Sequence, residues 1–292
     1  MNNDFEEIKC AVCESRDNKT LFNGKNLNPS IYVAICKNCG LIYLNPRWKK
    51  EKYKHFYSND YDNIHRDYLI KVDGKKSLQG RAVQISNRAG VDSNFKNYLD
   101  IGAGEGSVLE FFGNKNSNAV LSAIEPSEAC HKILKDKNIK LLSNDVDSDW
   151  HLGNENKFDF IILRHTLEHL LDPLSVLKKI KYVLSDNGLI YISVPNMMMP
   201  RSDNLLKKSW FIVSHTYYFS KSALLSLISR SGLKPVKIID VDCELWGVFK
   251  KGEFEFRNIN NYWQQRLALF KHHFKFVIKY VLKVFRLRSV KN

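Results

Sequence analysis

The chain has 292 residues, of which 44% are hydrophobic, and its formal net charge is +14. This length predicts one principal domain with a small appendage, and the hydrophobic content is sufficient for a sizeable core. No run of about 18 or more apolar residues is present, which excludes a membrane-spanning helix, and the polar, acidic start of the chain is not the pattern of a secretory signal.

Two pairs of cysteines lie near the amino terminus. Cys10 and Cys13 form one C-x-x-C pair, and Cys36 and Cys39 form the other. This is the ligand spacing of a tetrahedral zinc site with four thiolates. A disulfide framework is the alternative, but it is typical of secreted chains. The sequence therefore predicts a zinc ribbon over residues 1–47 and, because four thiolates leave no ligand position for water, a structural zinc ion.

Residues 48–90 are rich in aromatic and charged side chains and show no strand alternation. This pattern predicts helices rather than strands. Taken alone, the segment is interpreted as a solvated helical linker between the ribbon and the next domain.

A buried strand, a glycine turn and a helix follow one another over residues 98–112. Asp100 lies in the strand, two positions before the first glycine of the turn. The turn contains alternating glycines, which can approach a ligand without a Cβ in the way: Gly102, Gly104 and Gly106. The dinucleotide fingerprint requires a further glycine three residues after the second one, but Ser107 occupies that part of the turn. The spacing instead favours a ligand with a cationic end and no pyrophosphate.

The next two predicted strands also end in acidic residues. Glu125 ends the strand that begins at Ala119, about 20 residues beyond the glycine turn, where a doubly wound fold places a carboxylate against ribose hydroxyls. Asp145 ends the strand that begins at Lys140 and could accept a hydrogen bond from an adenine amino group. An exposed strand end explains any one of these acids, but three in register are less expected by chance.

A fourth apolar strand, Phe158–Leu163, precedes the segment Arg164–Pro173, a helix and a further strand that ends at Asn196. The segment contains His165, Glu168 and His169 in the H-x-x-E-H pattern of some zinc peptidases. A peptidase would need both histidines on one sustained helix, whereas Asp172 and Pro173 start a new helix a few residues later. We therefore do not interpret this pattern as a peptidase site.

The succession of elements from about Asn97 to Asn196 resembles class I S-adenosylmethionine-dependent methyltransferases, in particular ubiquinone-biosynthesis-like and sugar-modifying enzymes. The resemblance implies an α/β fold with a Rossmann-like, doubly wound sheet, and we expect the last strand to be antiparallel. It places the cofactor-binding domain at residues 91–255. It also implies the cofactor contacts. Asp100, Gly102 and Gly104 would surround the methionine end. Glu125 would contact the ribose, Asp145 would lie near the adenine, and His165 would line the pocket.

Zinc ribbons also precede the methyltransferase domain in C-methyltransferases of deoxysugars, and Leu41–Pro46 resembles that arrangement. Those enzymes carry a further large carboxyl-terminal domain, for which this chain is too short, and this counts against C-methylation of a sugar. The sequence does not decide between O-, C- and N-methylation. In related enzymes the region equivalent to residues 48–90 caps the cofactor and shapes the acceptor site.

The segment after Asn196 is expected to define the acceptor. Residues 197–210 are predicted to be an irregular insertion. His215 lies where similar enzymes carry a histidine that faces the acceptor, which makes it the first candidate for a general base, and Tyr217 is the second. A structural histidine is the alternative interpretation.

Residues 256–292 are predicted to form a basic amphipathic helix, with no Asp or Glu from Arg257 onward. Lysines recur along one face: Lys271, Lys275, Lys279 and Lys283. Apolar residues form a stripe on another: Leu267, Phe270, Phe274, Val277, Val281 and Val284. Such a helix fits an anionic membrane surface, while a nucleic acid and a partner subunit are the alternatives.

Together these features predict an S-adenosylmethionine-dependent methyltransferase that acts on a sugar, surface glycan, lipid-linked or other small-molecule acceptor. We expect it in the cytoplasm, in a peripheral position at the inner face of the membrane. The sequence does not predict its oligomeric state. An RNA methyltransferase is the second interpretation, although Arg164–Leu167 offers no aromatic side chain to stack a base. A non-catalytic binding module in a glycan or lipid assembly complex is the third.

Overall fold

The computed structural model describes residues 4–25, 27, 29–60, 75–91, 95–200, 210–257 and 260–289. The strands are β1 Phe5–Glu6, β2 Asn18–Gly24, β3 Ile31–Cys36, β4 Ile42–Leu44, β5 Arg47–Trp48, β6 Asn97–Ile101, β7 Val120–Ile124, β8 Lys140–Ser143, β9 Phe158–Arg164, β10 Leu184–Pro195, β11 Tyr217–Tyr218, β12 Leu233–Val241 and β13 Glu244–Lys251. The helices are α1 Lys50–His55, continued by a π-helical turn Phe56–Asp60, α2 Lys75–Ala89, α3 Ser107–Lys115, α4 Glu128–Asp136, α5 Pro173–Val183, α6 Lys221–Arg230 and α7 Tyr262–Ser289.

The main sheet has seven strands in the order β12-β13-β10-β9-β6-β7-β8. Strands β8, β7, β6, β9 and β10 pair in parallel, and β13 is antiparallel to both of its neighbours. The chain therefore runs from β6 to one side of the sheet and then returns to the other side of β6. This confirms the predicted Rossmann-like fold with an antiparallel last strand, and ligands of such sheets bind where the strand order reverses.

Both faces of the main sheet are covered, which is why its central strands are almost continuously apolar. Leu99 and Ile161 are buried on one face, and Tyr98 and Phe160 are buried on the other. The Tyr98 ring stacks on Phe112 of α3 with 4.9 Å between centroids. This packing holds β6 and β9 in the core, and the predicted cofactor residues lie toward or just beyond the carboxyl ends of such strands.

Local sequence signals set the starts of two helices as predicted. The Asp172 side chain accepts a hydrogen bond from the Ser175 amide at 3.0 Å, and Pro173 occupies the first turn of α5. Ser220 caps α6 by accepting from the Ala223 amide at 3.4 Å. Both caps satisfy amides that have no partner within their helix.

The ribbon strands form a second sheet in the order β11-β4-β3-β2. Tyr217 pairs with Tyr43 and Tyr218 pairs with Ile42, so the edge of the ribbon continues into the segment that precedes α6. The sequence did not predict this pairing, because a two-residue strand has no periodicity of its own. The free edge of β4 would otherwise leave backbone amides and carbonyls without partners, and β11 supplies them.

Parts of the predicted segments lie outside the described residues. These include Tyr61, His65 and Tyr68 of the predicted cap, and residues 201–209 of the predicted insertion. Among the described residues, no helix combines the length and the apolar content that crossing a membrane requires. The domain boundaries given above stay a prediction.

Candidate functional site

The glycine turn follows β6 directly and adopts a conformation that favours glycine. Gly102 and Gly104 have φ angles of +80° and +54°. A Cβ on Gly102 would lie 2.5 Å from the Thr166 hydroxyl oxygen, whereas a Cβ on Gly104 would meet no atom within 4 Å. The turn is therefore packed on one side and open at Gly104, so a ligand can approach the backbone there.

Glu125 follows β7 and is buried beside the glycine turn. Its Oε2 accepts a hydrogen bond from the Gly104 amide at 2.6 Å, and its Oε1 accepts from the Ser127 amide at 2.9 Å. The carboxylate thus joins the turn to the start of α4. An ionised carboxylate can accept further hydrogen bonds, so the contact to ribose hydroxyls stays a prediction that this position permits.

Asp100 is 4% exposed in β6, just before the glycine turn. Burial, together with the neighbouring charge of Glu125, raises the pKa of Asp100 to about 7, although Arg164 acts in the opposite direction. A cationic group bound at the turn would favour the ionised form. The charge of this site therefore suits the cationic methionine end of the predicted cofactor.

Asp145 lies in the turn after β8, at the same edge of the sheet as the other strand ends. Its Oδ1 accepts from the Asp147 amide at 2.8 Å, and its Oδ2 lies 3.9 Å from the Lys54 ammonium of α1. Lys50 forms a 2.7 Å ion pair with Asp147. Helix α1 therefore reaches the turn to which the adenine contact was assigned.

His165 follows β9 with a φ angle of +51°, which is uncommon for a residue other than glycine. Its Nδ1 lies 3.3 Å from Glu168 Oε1, and its Nε2 lies 3.3 Å from Glu244 Oε1. Burial lowers the pKa of His165, but the hydrogen bonds to Glu168 and Glu244 outweigh it and raise that pKa. The imidazole is therefore favoured as a cation between two carboxylates, and its predicted role in lining the cofactor pocket stays a prediction.

Thr166 connects this segment to the glycine turn. Its hydroxyl donates to the Ile101 carbonyl at 2.8 Å, and its side chain occupies the space beside Gly102. The turn after β6 and the turn after β9 are thus held together. No sequence pattern pointed to Thr166.

A cluster of one buried carboxylate and two half-buried imidazoles lies next to this turn. The ligand-forming atoms of Glu168, His169 and His215 all lie within 4.8 Å of one another. Glu168 is 1% exposed, with its Oε1 at 3.9 Å from His169 Nε2. Burial acts to raise the pKa of Glu168, but His165 and the other imidazoles hold it at about 2. The carboxylate therefore stays ionised among histidines.

A tyrosine from the predicted cap sets the orientation of His169. The Tyr57 hydroxyl donates its only proton to the Ser214 carbonyl at 3.1 Å, so it must accept from His169 Nδ1, also at 3.1 Å. His169 Nε2 is then directed to Glu168, and the His169 ring packs at 80° against His215, 4.8 Å between centroids. The described part of the cap therefore contributes to this cluster.

The two candidate bases have different surroundings. His215 is half-buried beside Glu168 and His169, whereas the Tyr217 hydroxyl donates to the Leu171 carbonyl at 3.1 Å and accepts from Arg47 at 3.2 Å. Burial raises the pKa of Tyr217 to about 12. These contacts favour His215 as a proton acceptor and give Tyr217 a place in the packing between β5 and the turn before α5.

The four ribbon cysteines come together as their spacing predicted. Sγ–Sγ distances are 3.4 Å for Cys10 and Cys39 and 3.4 Å for Cys13 and Cys36, and none of the four forms a disulfide. All four sulfurs lie within 4.8 Å of one another. Tetrahedral zinc with bonds of about 2.3 Å separates its sulfur ligands by about 3.8 Å, so this group fits the ion.

Sequence reasoning missed several residues of the site. Glu244 of β13 reaches His165 from two strands away in the sheet, and Arg88 of α2 binds the other Glu244 oxygen at 2.6 Å. In the sequence, Glu168 belongs only to a peptidase-like pattern, yet the three residues of that pattern, His165, Glu168 and His169, do meet here. Its spacing was a usable signal, while Glu244 and Arg88 come from distant elements and carry none.

Known proteins with the same fold were found by comparison of the sequence and of the structure. Residues 75–238 match a family model described as a methyltransferase domain. The comparison with curated proteins gives no match. Several solved structures share the fold, at sequence identities that by themselves show the fold alone.

The mitomycin 7-O-methyltransferase MmcR is 16% identical with a TM-score of 0.53, over 68% of this chain and 60% of that chain. A SAM-dependent methyltransferase from Thermotoga maritima is 15% identical with a TM-score of 0.52, over 68% of this chain and 99% of that chain. An O-methyltransferase family protein from Burkholderia thailandensis is 12% identical with a TM-score of 0.52, over 68% and 64%. The chain thus covers less than two thirds of the first and third of these structures.

Proposed function

This chain belongs to the methyltransferase-domain family, and we propose that it transfers a methyl group from S-adenosylmethionine to an oxygen or carbon atom of a sugar, glycan, lipid-linked or other small-molecule acceptor. One observation carries the proposal. Thr166 holds the glycine turn, with its two acidic neighbours, directly against the turn that bears the buried Glu168 cluster. The proposed cofactor site and the proposed proton-accepting site would therefore share one edge of the sheet.

The residues at this edge fit S-adenosylmethionine. Asp100 would hold the cationic amino group, Glu125 the ribose hydroxyls and Asp145 the adenine amino group, and the open space at Gly104 leaves room for the ligand. His165 would line the pocket beside them. When bound, the cofactor supplies a methyl group on a positively charged sulfur, which a nucleophile displaces in line. The protein then contributes chiefly alignment and the exclusion of water.

His215 is the proposed general base. An oxygen or carbon acceptor must lose a proton as it gains the methyl group, and we assign that proton to the His215 imidazole. The buried charge of Glu168 stabilises the imidazolium that results, since an opposite charge nearby favours the protonated form. Tyr57 and His169 orient the cluster around it. Tyr217 stays the second candidate.

The four cysteines are proposed to hold a structural zinc ion. The support is the approach of four unoxidised sulfurs to tetrahedral spacing. A site closed by four thiolates has no position for a substrate, so its contribution is to folding. We further propose that the protein acts in the cytoplasm, on an acceptor carried at the inner face of the membrane.

The test uses radiolabelled S-adenosylmethionine with glycan, lipid and small-molecule extracts from cells that lack the protein. The wild type should transfer label, while His215→Ala should transfer at least about 100-fold less, the usual contribution of a general base. Its affinity for S-adenosylhomocysteine should be unchanged, because His215 lies outside the cofactor residues. His273→Ala, at an exposed position of α7, is the matched control.

Two results would contradict the proposal. A wild-type protein that binds neither S-adenosylmethionine nor S-adenosylhomocysteine would remove the cofactor assignment. A protein that binds the cofactor but labels no extract would support the non-catalytic binding module. Full transfer by His215→Ala would leave the methyltransferase in place but reassign the base.

A further inference from the structure

Helix α7 presents an apolar face that the rest of the described chain does not cover. Its large apolar residues are between 42% and 73% exposed: Trp263, Leu267, Phe270, Phe274, Val277 and Ile278. Most of them follow one another at intervals of three or four residues, so they share one side of the helix. An exposed stripe of this kind marks an interaction surface.

The opposite face of α7 is held against the ribbon. Tyr262 joins an apolar cluster with residues of β3 and β4, and a Cβ on Gly40 would lie only 2.7 Å from the backbone of Asn261. Further along the helix, Gln265 and His272 are buried. The helix is therefore fixed to the protein by one face, and its apolar stripe is not the face that docks.

The charged residues of α7 itself all have one sign. Lys271 and Lys275 are exposed on the turns that carry the two stacked phenylalanines of the stripe, and Arg266 lies 5.7 Å from the Trp263 ring centroid. No Asp or Glu occurs from Arg257 to the end of the sequence. The surface is therefore apolar at its centre and cationic beside it, which is complementary to anionic headgroups above an apolar layer.

Other occupants fit this surface less well. A second copy of the helix would bring lysines against lysines with no acidic residue between them, because the segment has none. A nucleic acid would meet the lysines and could stack on Trp263, but it gives no reason for Val277 and Ile278 to be exposed on the same side.

We propose that α7 binds an anionic lipid surface, with the apolar stripe inserted at the boundary between headgroups and acyl chains and the basic side chains among the headgroups. The helix would lie in the plane of the interface, as amphipathic helices of this composition do. This binding does not depend on the proposed methyl transfer.

The experiment is sedimentation of the full chain with vesicles of phosphatidylcholine, prepared with and without phosphatidylglycerol. The wild type should sediment with the anionic vesicles and remain largely in solution with the neutral ones. Phe270→Ser combined with Phe274→Ser should weaken binding by about tenfold or more, because it removes two of the inserted rings. Leu152→Ser with Val236→Ser, two exposed apolar residues elsewhere, should leave binding unchanged.

A second pair of variants tests the charge. Lys271→Glu with Lys275→Glu should abolish binding to anionic vesicles, whereas Lys132→Glu with Lys135→Glu, the same charge change at exposed positions of α4, should retain most of it. Binding of the wild type should also fall with salt, since the Debye length shrinks from about 10 Å at 0.1 M to about 3 Å at 1 M.

Three results would overturn the proposal. Wild-type protein that does not sediment with anionic vesicles would refute the lipid binding directly. Loss of vesicle binding in excess RNA, with the two Phe→Ser changes having no effect, would assign the surface to nucleic acid. A dimer in solution that the same two changes dissociate, with no vesicle binding by the wild type, would assign it to a second copy of the chain.

Discussion

Replacing Asp100 by Asn should make the free protein more stable and its cofactor site weaker. Asp100 is buried, and its pKa is raised from an ordinary value of 3.8 to about 7 by burial and by Glu125. A carboxyl with a raised pKa binds more protons in the folded than in the unfolded state. Its contribution to stability is therefore present at low pH and is lost as the pH rises from about 4 to about 7.

The magnitude follows from the shift. About three pKa units correspond to at most about 4 kcal/mol of opposition to folding at neutral pH and above, with local relaxation reducing this value. Asp100→Asn removes the buried charge, so the ligand-free variant should melt several degrees higher than the wild type at pH 8, and the difference should vanish near pH 4. Differential scanning calorimetry at both pH values measures it.

Cofactor affinity should change in the opposite direction. With a pKa of about 7, Asp100 is roughly 3% ionised at pH 5.5 and half ionised at pH 7, so the wild type should bind S-adenosylhomocysteine about fifteenfold more tightly at pH 7. Over this range the amino group of the ligand stays charged, since α-amino groups titrate near pH 8. The Asn variant should lose the dependence and bind about 10- to 100-fold more weakly at pH 7.

Titration calorimetry at both pH values decides the matter. A flat wild-type affinity, or an Asn variant with the same slope, would refute the reasoning. A variant that is both less stable and weaker in binding would show a structural loss instead of a removed charge.

Two further predictions address the remaining parts of the site. Glu125→Ala should weaken S-adenosylhomocysteine binding by about 2–3 kcal/mol, the scale of charge-assisted hydrogen bonds. Glu128→Ala, in the first turn of the adjacent α4, is the control and should change the affinity little. Equal affinities of the wild type and Glu125→Ala by calorimetry would contradict the ribose assignment. Purified protein should contain one zinc ion per chain by elemental analysis, and the Cys36→Ser variant should lose the ion and melt at a lower temperature. A metal-free native protein with four reactive thiols would contradict the ribbon assignment.

The sequence predicted the features that depend on local chemistry. Buried parallel strands appear as apolar runs, and the glycine turn needs residues without a Cβ, so the parallel strands and the glycine turn could be derived in chain order. The cap of α5 is another example, because Asp172 and Pro173 act within one helical turn. The approach of the four cysteines to one another could also be predicted, since the ligands of a metal site require fixed spacing.

The contacts between distant segments were not predictable in the same way. Glu168 is charged and would ordinarily be assigned to the surface. It is buried here, and the neighbouring imidazoles compensate the charge of its carboxylate. Tyr57 reaches His169 across 112 positions of the chain, and Glu244 reaches His165 from the antiparallel strand. Each depends on the completed fold, and no local pattern specifies it.

The pairing of β11 with β4 gives the zinc ribbon a consequence for the proposed reaction. β11 begins two residues after His215, so the ribbon edge positions the chain that carries the proposed base. The proposed cofactor residues Asp100 and Glu125 lie on β6 and after β7, which do not pair with the ribbon. Chelation or Cys36→Ser should therefore reduce methyl transfer strongly while leaving S-adenosylhomocysteine affinity mostly intact. Equal loss of both properties would show that the ribbon supports the whole fold, and retention of both would show that β11 keeps its place without the metal.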